Sequence, residues 1–256
     1  MQMRDLFSLE GKNALLFGGG GDISIAVAKG FGGYGAHITL FDNSMEHLRK
    51  AKEELNEAGV DAECYQGSIT DRKGLNAFRD GYFDKNGHLD ILFNSAGITY
   101  RKSLEDMSDE EWDDIVNLNL NGTYNILKSF GVRMCAQGHG KIIQVLSTGA
   151  YRFGANFVAY GATKAAQSAL IKGLAIEWAP HNIQINGIAP TATETNFTRD
   201  YYRENPTKME ATIGNHPYKR LGRPEDYVGA AVYLASGAAD FVNGEVIIID
   251  SGKTVK

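Results

Sequence analysis

Seven short apolar runs alternate with amphipathic stretches from one end of the chain to the other, and that alternation constrains the fold more than any other feature. Residues 14–17, 38–41, 62–65, 91–93, 142–146, 183–188 and 246–249 have strand length. Most lack polar alternation, which suits strands buried on both faces. Residues 23–31, 45–57, 72–83, 109–133, 159–178 and 225–235 read as helices between them. Such a chain is expected to form a doubly wound α/β fold: a parallel, Rossmann-type sheet with helices on both faces and right-handed crossovers. No linker, repeat or low-complexity tract interrupts the pattern, so residues 1–256 are expected to make one domain. Residues 196–223 break the rhythm. Polar and aromatic, they read as a mobile insertion, a substrate lid near the site.

A chain of 256 residues can bury a sizeable core. A formal charge of −5 carries no electrostatic footprint for nucleic acid or anionic lipid. No apolar run approaches the roughly 18–20 residues of a membrane span, and the N-terminal dozen lacks the apolar centre of a signal peptide. Cys64 and Cys135 are too few and too far apart for a disulfide framework or a metal-thiolate site, and read as buried, reduced core residues. The expectation is a cytoplasmic protein with no metal, nucleic-acid or membrane partner.

The first strand runs into Gly18, Gly19, Gly20 and Gly21, and Asp22, Ile23 and Ser24 then open a helix. A glycine-rich strand-to-helix turn lets backbone N–H groups approach a pyrophosphate. The second strand ends in Asp42, where a carboxylate can accept hydrogen bonds from ribose hydroxyls and repel a 2′-phosphate. No Arg or Lys lies in the 18–24 turn or directly beside Asp42, so NAD is favoured over NADP.

Ser147 stands thirteen residues before Tyr160, and Lys164 four after it. Helix positions four apart share a face, so phenol and ammonium can point into one site. A tyrosine with an ordinary pKa of about 10 is a poor acid or base at neutral pH. A nearby cation favours the phenolate, and a serine hydroxyl can bond the same reacting oxygen. Together they can move a proton on or off an alcohol or carbonyl oxygen.

With these residues placed, the chain resembles the short-chain dehydrogenase/reductase family over essentially its whole length. The family's N-N-A-G appears as Asn94, Ser95, Ala96 and Gly97, and L-N-L-N-G supplies Asn119. Ser147, Tyr160 and Lys164 complete the family's Asn-Ser-Tyr-Lys tetrad. The segment 185–190, ending in Pro190, with Thr193 and Thr195 beyond, matches the region that holds the nicotinamide carboxamide. Ser68 and Ile69 match the family's Asp-Val after the third strand. The resemblance implies that Tyr160 exchanges the proton, Ser147 orients the substrate oxygen, and Lys164 lowers the tyrosine pKa and binds the nicotinamide ribose. Asn119 would hold a water linking Lys164 to solvent. The cofactor would lie along Gly18, Asp22, Ile23, Ser24, Asp42, Ser68, Ile69, Asn94, Ala96, Gly97, Tyr160, Lys164, Pro190, Thr193 and Thr195. A homodimer or homotetramer is implied, through the helices at 109–133 and 159–178.

The glycine turn departs from the family's usual form, because Asp22 and Ser24 replace two glycines. It looks instead like the G-x5-S-x-A turn of the divergent enoyl-reductase branch, where the small polar residue can cap the helix. Asp22 would repel a pyrophosphate unless it turned away to cap the helix. Enoyl reduction itself is disfavoured, since that branch's Y-x6-K tyrosine would fall at Phe157. Within the family the chain most resembles gluconate 5-dehydrogenase-like members, which implies a sugar alcohol or sugar acid as substrate. Arg101, Arg152 and Arg199 could supply a carboxylate clamp from loops after strand ends. Two alternatives stay open at this point: a 3-oxoacyl thioester reductase, and a nucleotide-binding member that does not turn over.

Overall fold

The apolar runs become β1 (Asn13–Phe17), β2 (His37–Asp42), β3 (Ala62–Gln66), β4 (Ile91–Asn94), β5 (Gly140–Val145), β6 (Ile183–Pro190) and β7 (Val246–Ile249), within a computed structural model that describes residues 3–255. They form one parallel sheet in the order β3-β2-β1-β4-β5-β6-β7. The order reverses between β1 and β4, and ligands of open α/β sheets bind beyond the strand ends at such a switch point.

Alternation along each strand feeds two separate cores, as the two-residue period requires. Ala14, Leu16, Ile38, Leu40, Ile91 and Phe93 face one side, where α1 (Asp22–Gly33), α2 (Met45–Glu57) and a helix near the C-terminus at Val228–Ala235 cover them. Leu15, Phe17, Phe41, Leu92 and Ile142 face the other, beneath α3 (Arg72–Asn86) and the later helices. An aromatic cluster fills that second layer. The rings of Phe17 and Phe130 lie 5.3 Å apart, those of Phe41 and Phe78 4.7 Å.

The helix expected over 109–133 is longer and not regular. It runs as α4 (Asp109–Ile115), α5 (Gly122–Ile126) and α6 (Val132–Gln137), with π-helical stretches at Val116–Asn121 and Leu127–Gly131 between them. Such wide turns are rare and occur often at functional sites. α7 (Val158–Trp178) follows the loop after β5.

The 196–223 segment is not structureless. It folds into α8 (Asn196–Glu204) and α9 (Pro206–Asn215), and α10 (Val228–Ala235) then leads to the last strand. Cys64 and Cys135 are unpaired but half-buried rather than buried, because Cys64 lies on the edge strand β3 and Cys135 on α6. No helix of the described residues is long and apolar enough to cross a membrane, and among those residues no cluster of three or more His, Cys, Asp or Glu is placed to hold a metal ion.

Candidate active site

β1 and β4 lie side by side at the switch point, and just beyond them the backbone passes very close to itself. Gly18 has φ +70°, and a Cβ there would lie 2.7 Å from the Ala96 nitrogen. Only glycine meets both conditions. α1 then follows Gly21, which offers no side-chain cap, whereas Ser44, Asp71 and Ser108 cap α2, α3 and α4. An uncapped helix N-terminus leaves its first N–H groups for an anion. The Asp42 carboxylate closes this turn from the side, accepting from the N–H groups of Gly20 at 3.1 Å and Ser44 at 3.0 Å. A glycine cradle that no Cβ could enter, an open helix end and a flanking carboxylate fit a dinucleotide.

Two departures from the family pattern resolve differently from expectation. Ser24 does not cap α1. It is fully buried, and its hydroxyl lies 2.6 Å from that of Ser95. Ser95 in turn reaches the main-chain oxygens of Phe17 and Gly18 at 3.3 Å, so the hydrogen from Ser24 goes to Ser95. Asp22 turns away from the turn, but toward α8 instead of its own helix end. Its carboxylate accepts from the Asn196 backbone N–H at 2.7 Å and side-chain amide at 2.9 Å. Ser68 and Ile69 stand beyond β3 at the same sheet edge. The Ser68 hydroxyl is 2.8 Å from that of Thr70, and the Ile69 carbonyl accepts from Asn125 at 2.9 Å.

Ser147 follows β5, and its hydroxyl accepts from the Gly149 N–H at 3.0 Å. Tyr160 and Lys164 project from the first turns of α7. Lys164 is 3% exposed, its Nζ donates to the Val145 carbonyl at 2.9 Å and lies 5.7 Å from the centre of the Tyr160 ring. Burial brings the Lys164 pKa down to about 7. Burial also pushes the Tyr160 phenol up, against a hydrogen bond with Ser147 and the positive charge of Arg101, which both pull it down. Arg101 supplies positive charge to the phenol, while burial disfavours the charge on Lys164.

Asn119 lies in the first π-helical stretch. Its amide donates to the Ile98 carbonyl at 2.9 Å and the Thr163 hydroxyl at 3.1 Å, and its oxygen accepts from the Ile98 N–H at 2.8 Å. Gly97 borders both Asn119 and Lys164, since a Cβ on it would meet them at 3.2 and 3.7 Å. Asn94 donates to Gln144 at 2.8 Å and Thr123 at 3.2 Å, and accepts from the Ala96 N–H. Gln167, which motif reading passed over, joins these groups. Its amide donates to the Asn119 carbonyl at 2.7 Å and to Thr123 at 2.8 Å, while its own oxygen is buried without a partner. Its place three residues beyond Lys164, on the same helix face, was the available signal.

Beyond Pro190 at the end of β6, the Thr191 hydroxyl lies 2.7 Å from His216 Nε2. His216 is 1% exposed, and its Nδ1 faces the Thr212 carbonyl at 2.8 Å. A carbonyl can only accept, so Nδ1 carries the hydrogen and neutral Nε2 accepts from Thr191. Burial holds the His216 pKa below its ordinary value. Thr193 donates to the Thr191 carbonyl at 2.7 Å and pairs with the Tyr227 hydroxyl, and the Thr195 N–H donates to the Thr198 hydroxyl at 3.2 Å. The three arginines make different contacts. Arg101 stacks on Tyr201 at 3.9 Å, with Phe157 at 5.1 Å and Tyr202 at 5.5 Å. Among the described residues its guanidinium has no hydrogen-bond or ion-pair partner. Arg152 donates to the Lys253 carbonyl, and Arg199 to the Asn196 side chain.

A buried lysine with a depressed pKa makes stability depend on pH. Unfolded Lys164 holds its proton up to about 10.5 and folded Lys164 only up to about 7, so its desolvation penalty is largest at pH 7 and fades as pH rises through that window. Lys164→Met should therefore raise the melting temperature at pH 7, with a gain that shrinks toward pH 10. Thermal melts across that range check this, and a pH-independent difference would contradict it.

A short-chain dehydrogenase/reductase family model, described as Enoyl-(Acyl carrier protein) reductase, matches residues 21–254. The gluconate 5-dehydrogenase of Gluconobacter oxydans is 35% identical over 255 residues, covering 100% of this chain and 99% of that protein. The 5-keto-D-gluconate 5-reductase of Escherichia coli is 33% identical over 253 residues, 99% of each. A crystal structure of a gluconate 5-dehydrogenase from Burkholderia cenocepacia, in complex with NADP and tartrate, has a TM-score of 0.93 at 32% identity and covers 100% of both chains. With the glycine cradle at the switch point and the serine, tyrosine and lysine gathered at the same sheet edge, matches of this coverage mean that the chain belongs to the short-chain dehydrogenase/reductase family.

Proposed function

We propose that the protein interconverts a secondary alcohol and a ketone on a small sugar acid, with NAD(H) as the redox partner. One observation carries the reading: an unpaired, aromatic-stacked Arg101 close enough to act on the Tyr160 phenol, beside Ser147 and Lys164. A dinucleotide held at the 18–21 turn would supply or accept the hydride at the substrate carbon. In the reducing direction Tyr160 gives its proton to the carbonyl oxygen as that oxygen gains the C=O electron pair, and the phenol becomes phenolate. In the oxidising direction the phenolate takes the hydroxyl proton back. Ser147 orients the oxygen through its hydroxyl. Protonated Lys164 stabilises the phenolate, and its pKa of about 7 lets it gain or lose a proton at neutral pH. Asn119 holds the Ile98 backbone in place beside Lys164. Arg101 receives the substrate carboxylate, because a guanidinium presents paired N–H donors to it. The likeness to gluconate 5-dehydrogenases supports a sugar acid, as does the tartrate in one of them. That relative holds NADP, so the choice of NAD here rests on Asp42.

The apolar groove of about 380 Å³ along α7, lined by Leu120, Ala166, Ala169, Leu170, Gly173 and Leu174, supports self-association through this helix. A solution mass measurement checks it, and a monomer at micromolar concentration would overturn it.

Sugar acids, neutral polyols and acyl thioesters, read by NADH absorbance, test the reaction. Tyr160→Phe should lower kcat by about 10²–10⁴-fold with NADH affinity little changed. Arg101→Ala should raise KM for acids by about tenfold or more, and Arg101→Lys should recover only part of it. Polyols outperforming acids, with no effect of Arg101, would remove the carboxylate role. Activity confined to thioesters would remove the sugar reading.

Cofactor choice has its own check. Asp42→Ala should increase the relative use of NADP(H), since it removes both the ribose acceptor and the repulsion of a 2′-phosphate. A wild-type protein that works better with NADPH would refute the role of Asp42.

A further inference from the structure

Asp22 is the residue in the phosphate turn that the chemistry of that turn least explains. It stands where the family pattern has a glycine, at the first position of α1, and that helix end has no side-chain cap. A diphosphate at these N–H groups would have beside it a fixed negative charge, turned toward α8, that a glycine would not present. The carboxylate is held in place from far along the chain. Both of its oxygens accept from Asn196, one from the backbone N–H at 2.7 Å and the other from the side-chain amide at 2.9 Å. The orientation of that amide is settled by Arg199, whose guanidinium donates to the Asn196 oxygen and leaves the amide nitrogen facing Asp22. Asn196 opens α8, so the carboxylate lies at the positive end of a second helix as well as of its own. Cation, amide and anion are thus linked in turn, from Arg199 through Asn196 to Asp22 at the start of α1.

We propose that Asp22 sets the affinity for the dinucleotide and ties it to the docking of the lid, acting as an internal anion where the N-termini of α1 and α8 converge. The proposal rests on the dinucleotide reading above. One side chain has two separable effects. Its charge opposes the incoming diphosphate, and its paired hydrogen bonds hold α8 against the turn. Asp22 is a positioning residue, and the stretch from Asn196 to Arg199 is its partner, which assigns Arg199 to the lid rather than to the substrate.

Three variants separate charge from tether. NADH binding is read by nucleotide fluorescence, and lid docking by the rate of trypsin cleavage after Arg199, Arg203 or Lys208 without nucleotide. Asp22→Gly removes both effects, so NADH should bind about tenfold more tightly and the lid should be cut several-fold faster. Asp22→Asn keeps an oxygen that can accept an N–H, so affinity should rise with cleavage near the wild-type rate. Asn196→Ala keeps the charge and loses the side-chain donor, so cleavage should rise with no gain in affinity. If both Asp22 variants bind NADH no more tightly than wild type, the charge role is wrong, and wild-type binding leaves the dinucleotide reading standing. If Asp22→Gly is cut no faster, the tether is wrong. If neither wild type nor any variant binds NADH or NADPH, the dinucleotide reading falls and this proposal falls with it.

Discussion

A single buried ammonium organises the polar half of this structure. Lys164 gives up its hydration to lie against the Val145 carbonyl, and a buried charge is tolerated only where hydrogen bonds replace water. The groups around it are accordingly tied to one another. Gln144 donates to the same Val145 carbonyl and accepts from Asn94. Asn94 reaches Thr123, Thr123 receives Gln167, and Gln167 holds the Asn119 carbonyl. Asn119 returns to Thr163, one residue before the lysine. This circuit joins the ends of β4 and β5 to two helices, and it fixes where Tyr160 and Ser147 face each other.

The irregular helix serves that circuit. A regular α-helix over Val116–Asn121 would rotate Asn119 with its neighbours, whereas the wider turn sets its amide against both backbone groups of Ile98. The loop after β4 is thereby anchored at Ile98, next to Gly97. Satisfied buried amides of this kind rigidify a site, because each is costly to leave unpaired.

Charge is distributed in opposite senses at the two ends of the site. At the nucleotide end Asp22 and Asp42 are both held by N–H donors, so their charge is fixed in place and partly compensated. At the substrate end Arg101 is held by ring faces that leave its donors unengaged. The anions are thus partly neutralised where they stand, while the stacked cation keeps its donors free.

Much of this was legible in the residues themselves. Seven apolar runs determined seven strands; the central ones are largely apolar because they are buried on both faces, while the edge strands β3 and β7 are only partly buried. Tyr160 and Lys164 could be paired because helix geometry puts positions four apart on one face, and the glycine turn could be read because few other residues accept its backbone. Tertiary structure decided the rest. The 196–223 segment is too polar to announce α8 and α9 as core helices; those helices are held by distant partners, Asp22 on Asn196 and Thr191 on His216. Ser24 and Ser95 gained meaning only as a pair, 71 positions apart. Three arginines looked equivalent in sequence, and loop packing put one of them beside Tyr160. The charge on Lys164 depends on how completely the fold removes it from water, a property of the whole molecule that no local run of residues encodes.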